Sequence, residues 1–240
     1  MRAIVAVWRT ELLLNLRNGE QLLVALGIPL GVLIFFSQID AFATGDGPVI
    51  DTLAPSVLAL AVMSSALVGL GISTGFERYY GVLRRLGATP LGRGRWVGAK
   101  VALVITIELI QWAVLVPVAL ALGWKPSGGW ALAGIAAVLG TLAFAGIGLV
   151  LAGRLPGLTN LAACNGLYLL LLLTGGLAIP LERLPAPMVA LARALPAAPL
   201  GELMRSAFSS GYELHPSTWP VLIVWALIAP LVATKTFRWS

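Results

Sequence analysis

Glu108 is an acidic residue deep inside a long apolar run, where a carboxylate costs at least about 2.5–3.5 kcal/mol. Gln111 follows one helical turn later on the same face, within hydrogen-bonding reach. Three kinds of chemistry fit this pair: glue between helices with Glu108 protonated, a polar patch on a translocation path, or a proton-coupling site. Asn160 and Asn165, with the Ser64-Ser65 and Ser73-Thr74 pairs, are candidate polar partners in other apolar runs. Other chemistries lack their residues. With one cysteine, Cys164, and one histidine, His215, the chain can form no intramolecular disulfide and has no basis for a thiol–metal cluster, a His-based metal site or a Ser-His-Asp triad. No Gly-x-x-x-x-Gly-Lys-Ser/Thr sequence occurs, so ATP phosphates are not cradled by this chain.

The elements that hold these residues must sit in a bilayer. Of the 240 residues, 59% are hydrophobic and 11% charged, against about 25% charged in ordinary soluble domains. A soluble fold of this length has too little interior to hide that much apolar surface. Runs over about 22–39, 53–74, 97–122, 130–151, 159–179 and 219–235 are each long and apolar enough to predict a transmembrane helix. The net charge of +6 does not form a basic face on a soluble domain, so a nucleic-acid partner is not expected. Instead the cations sort by loop. Arg2, Arg9, Arg17, Arg78, Arg84, Arg85, Arg93, Arg95, Lys100, Arg154, Lys235 and Arg238 fall on one side of six spans; Lys125, Arg183, Arg193 and Arg205 fall on the other. The positive-inside rule then places both termini in the cytoplasm. Ahead of the first span, Ile4, Val5, Trp8, Leu12 and Leu16 share a helical face, which predicts an amphipathic interfacial helix within residues 1–21.

Two segments carry more pattern than topology demands. In the cytoplasmic loop 77–95, Glu77-Arg78-Tyr79-Tyr80-Gly81-Val82-Leu83-Arg84-Arg85-Leu86-Gly87-Ala88-Thr89-Pro90 has helical apolar spacing at Val82, Leu83 and Leu86, with Pro90 as the stop. The outer segment 180–218 is punctuated by Pro180, Pro185, Pro187, Pro196, Pro199 and Pro216, each costing about 3 kcal/mol inside a helix, yet 188–195 is apolar. Short interrupted helices at the outer interface reconcile the two facts.

These two segments resemble ABC-2 type transporter permeases, and the resemblance runs over essentially the whole chain as one transmembrane domain, 1–240. It implies an all-α polytopic fold with six transmembrane helices. It also implies a coupling helix (Glu77, Arg78, Gly81, Leu83, Arg84, Arg85, Leu86, Thr89, Pro90) that docks on a separate ATP-binding subunit, and short outer helices marked by Pro180, Pro185, Pro196, Pro199, Glu202 and Arg205. The implied assembly is two permease chains, identical or related, with two ABC ATPase subunits that hold the ATP and magnesium. This chain itself carries no cofactor and no catalytic residue. A looser resemblance to daunorubicin-type drug-resistance permeases implies multidrug export from a bacterial inner membrane. Glu108, Gln111 and Asn165 are the candidates for the path of an amphipathic substrate. The alternative class is an ion- or proton-coupled carrier working through Glu108.

Overall fold

A computed structural model describes residues 2–17, 19–39, 48–88, 92–178, 181–209 and 211–236. Among these no β-strand occurs, and α-helices follow one another along the chain. Helix α1 covers Arg2–Arg17 and α2 covers Gly19–Phe36, so residues 19–21 belong to the first span rather than to the interfacial helix. A continuous 31-residue rod, Val49–Tyr79, comprises α3 (Val49–Met63), a π-helical turn (Ser64–Gly69) and α4 (Leu70–Tyr79). Then come α5 (Val82–Gly87), α6 (Arg93–Ala121), α7 (Trp130–Arg154) and α8 (Gly157–Thr174). A 3-10 turn (Leu181–Arg183) leads to α9 (Ala186–Ala194), α10 (Ala197–Phe208) and α11 (Thr218–Thr236).

Five described helices are long and apolar enough to cross a membrane: the Val49–Tyr79 rod, α6, α7, α8 and α11. The remaining predicted span is α2, 18 residues long with an apolar stretch over Ala25–Phe36. At 1.5 Å per residue it reaches roughly 27 Å, close to the hydrocarbon thickness. The spans divide into interior and periphery. In the rod 83% of the apolar window is buried, against 28% in α6 and 22% in α8, whose outer faces are left for lipid. Helix α7 packs against the rod and α11 through small residues, which let backbones approach and replace the hydrophobic drive that lipid removes. At Gly146 a Cβ would stand 2.5 Å from the Pro230 nitrogen of α11; at Gly148 it would stand 2.9 Å from the Leu67 carbonyl oxygen. Neither Gly69 nor Gly134 makes such an approach.

The proline-rich segment folds as expected of interrupted helices, and it goes deep. Pro185 and Pro196 stand at the N-caps of α9 and α10, with Pro199 in the first turn of α10, where a missing N–H costs nothing. Pro180 lies outside the described residues. Ala207 packs on Gly129, at the start of α7, while Leu200 packs on Gly140 eleven residues further along. Helix α10 therefore lies antiparallel to α7, with its N-terminal end roughly 16 Å inside the bundle. Its backbone is covered by α3, α7 and α11, which is the condition for breaking helices at that depth.

Candidate coupling and translocation sites

The end of the bundle that carries α5 is held by a three-residue charge cluster drawn from three helices. Lys100, 1% exposed, sits in the second turn of α6. Its Nζ donates to Glu77 Oε1 at 2.6 Å, from the last turn of α4, and to Glu11 Oε2 at 2.8 Å, from α1. The Trp96 ring lies 5.6 Å from the same ammonium. Burial pushes the Glu11 carboxyl above its ordinary range; Lys100 pulls it back and the neighbouring Glu77 charge adds to the rise. Glu77 Oε2 is buried with no hydrogen-bond partner among the described residues. The pairing also turns α1. Its protein-facing side is Ile4, Val7, Trp8, Glu11, Leu12 and Asn15, with the Trp8 indole donating to Thr106 at 3.0 Å. Val5 and Leu16, grouped by spacing with Ile4, Trp8 and Leu12, are 55% and 44% exposed and do not share the protein-facing side.

Just beyond this cluster the chain turns outward. Gly81 has φ +74°, a left-handed conformation that a side chain would strain, and it separates α4 from α5. Leu83 is fully buried and pins α5 to the bundle, with Leu86 half-buried beside it. Tyr79, Tyr80, Val82, Arg84 and Arg85 are exposed. Arg78 turns inward instead and donates to the Ala152 and Leu155 carbonyls at the end of α7 (3.1 and 3.4 Å). Helix α5 ends at Gly87; Thr89 and Pro90, the predicted stop, lie outside the described residues.

A cavity of about 750 Å³ opens beside the cluster, between α1, α2, the π-turn and α4, α6 and α8. Phe76 and Asn15 line the part next to Glu77 and Glu11; Ser64, Ser65, Asn165 and Tyr168 line the deeper part. The π-turn supplies its serines, and such single-turn insertions cluster at functional sites.

The chain now has an N-terminal helix joined by an ion cluster to an exposed basic loop, and proline-broken helices at the opposite end. The sequence pattern of ABC-2 type transporters matches residues 2–209, which takes in α1 through α10. The chain belongs to the ABC-2 type transporter family. A search of curated proteins found no match to it. This ABC-2 chain is therefore a multi-pass membrane permease component of an ABC transporter, and its family implies association with ABC ATPase subunits and the membrane.

In the ABC-2 permease the predicted path residues part company. Asn165 lines the cavity, its amide donating to the Leu161 carbonyl at 3.0 Å. Gln111 is buried, accepting from Ser65 at 2.9 Å and donating to the Ala25 carbonyl of α2 at 2.9 Å. It does not pair with Glu108, contrary to expectation, because packing of α2 and the π-turn offers closer partners. Glu108 instead accepts from Thr141 of α7 at 2.6 Å, and its other oxygen is buried without a partner among the described residues. Asn160 donates to the Gly71 carbonyl at 2.8 Å and so serves packing. At the opposite end, Arg205 donates to Ser56 (3.2 Å), the Gly176 carbonyl (3.0 Å) and Tyr212 (3.4 Å); Glu202 accepts from Thr218 and faces Arg193 at 4.0 Å. Sequence reasoning treated Lys100 as a topological cation and missed its cluster. A lysine inside a predicted span was the signal that it needed partners.

Proposed function

We propose that the chain is half of the pathway of an ATP-driven exporter. In the assembly two permease chains, identical or related, stand on two ATPase subunits that hold ATP and magnesium, and an amphipathic drug- or lipid-like substrate leaves the cytoplasm through them. Both termini and α5 lie on the cytoplasmic face of the inner membrane, in keeping with the cation bias of that side. The observation that carries the reading is the division of labour in residues 77–86. Exposed Tyr79, Tyr80, Arg84 and Arg85 offer a docking surface, while Glu77 and Arg78 are bonded back to α1, α6 and α7. A push on α5 is thereby delivered to three helices, two of which wall the cavity. Glu77 acts as a positioning residue through Lys100 rather than as the docking contact itself.

The test is co-purification with an ATPase, followed by a screen for compounds that stimulate hydrolysis. Arg84→Glu with Arg85→Glu should abolish ATPase capture while stability stays within about 0.5 kcal/mol, as for other exposed substitutions. Unchanged capture overturns the docking assignment. A proton-coupled carrier would transport without any ATPase and lose activity in Glu108→Gln. Its Glu108 stands apart from the described cavity lining, which favours the exporter reading.

A further inference from the structure

We propose that the cavity beside the π-turn is a binding site for an uncharged amphipathic molecule bearing hydroxyl groups; the assignment rests on the exporter reading for its role and on the lining for its chemistry. None of the described lining residues carries a charge. Ile28, Val68, Ile72, Leu103, Val104 and Ile107 supply apolar wall, and about 750 Å³ lies within the range that encloses a drug-sized molecule. The described polar groups are few, Asn15 from α1, Ser64 and Ser65 from the π-turn, Ser73 from α4, and Asn165 and Tyr168 from α8, set in an otherwise apolar wall. Several of them are already committed. Ser65 donates to Gln111, Ser73 to the Leu70 carbonyl, and the Asn165 and Asn15 amide nitrogens to carbonyls of their own helices. What stays open is an acceptor-rich set. The amide oxygens of Asn165 and Asn15 can only accept, while the Ser64 and Tyr168 hydroxyls, without partners among the described residues, can donate or accept. Hydroxyl groups on the ligand answer both kinds.

The rival occupant is a cation, because Glu11 and Glu77 together outweigh Lys100 near the mouth. Both carboxylates are turned onto the ammonium, and neither belongs to the cavity lining. A cation entering the cavity would lose its hydration shell and, among the described lining residues, meet neutral dipoles alone, a cost that an uncharged hydroxylated head avoids.

The experiment uses the purified chain in phosphatidylcholine vesicles and a diazirine-bearing monoacylglycerol as photoprobe. Saturable labelling is expected on peptides containing residues 64–76 and 161–168. A dodecyl glycerol ether should compete at least tenfold better than dodecyltrimethylammonium. Ile72→Trp, which fills the cavity, should cut labelling at least tenfold, and Ser64→Ala with Tyr168→Phe should weaken it about tenfold through lost hydrogen bonds. Equal competition by the cation overturns the assignment, as does labelling that neither variant changes. So does chain-to-chain cross-linking across these helices, which would make the groove a seat for a second copy. Labelling needs no ATPase. Its loss with ATPase capture intact defeats the ligand assignment alone, and its persistence with no ATPase captured defeats the exporter reading alone.

Discussion

The two ends of the bundle both bury charge, and they do so to opposite effect. At the α5 end, one ammonium holds two carboxylates from different helices, and the next few residues stand out as an exposed basic loop. At the α10 end, Arg205 and Glu202 satisfy themselves on Ser56, Gly176, Tyr212 and Thr218, inside a helix that is buried along nearly its whole length. Edge-to-face rings of Trp124, Trp130 and Phe208 pack beside it, at 4.8 to 6.0 Å between centroids. The first arrangement links three helices to an exposed surface. The second ties α10 to α3, α11 and the turn at Gly176, and its polar groups serve packing inside the bundle. Buried charge alone does not mark a functional site; what matters is whether the element it anchors reaches an exposed surface or stays inside the bundle.

The comparison breaks first at Lys100. Lys100→Met leaves two carboxylates facing each other without a cation and should cost about 3–5 kcal/mol, read from denaturation in detergent. Adding Glu11→Gln and Glu77→Gln to that variant should restore most of the loss; no restoration would mean that packing of the lysine stem, not charge, matters. Next comes Arg205→Met, which removes charge-assisted hydrogen bonds at the opposite end and should cost about 1.5–3 kcal/mol. It should leave ATPase capture intact, and lost capture would show that the ends are not functionally separate. The smallest effect is a pH dependence. Since burial raises the Glu11 carboxyl above its unfolded value, the folded state holds the extra proton. The contribution of this group is then greatest below the unfolded value and falls as pH rises through the raised folded value. Glu11→Gln should flatten that slope, so that wild type gains on the variant as pH falls from neutral; parallel stability curves would contradict it.

Much of this could be read from residues in a row. The apolar runs gave spans whose edges moved by a few residues, since a window of hydropathy averages over helix ends. The Val82, Leu83, Leu86 spacing gave α5, and the prolines gave broken helices after the fifth predicted span. The π-turn at Ser64–Gly69 had no such signal, because its residue types suit an α-helix equally well. Nor did the partner of Glu108 show itself. Thr141 lies 33 residues away on another helix, whereas Gln111, the neighbour by spacing, was drawn off by Ser65 and Ala25.

What the sequence by itself determined is the solvent and the layout: a membrane chain, its spans, its cation-rich side and a proline-broken opposite end. These are properties of single segments, and the bilayer reads them one at a time. Only the tertiary structure decided which charge meets which, how deep α10 reaches and where a cavity is left. Those outcomes depend on close approach between helices far apart in the chain, set by Gly146 against α11 and Gly148 against the π-turn, and by Lys100 reaching Glu11 and Glu77.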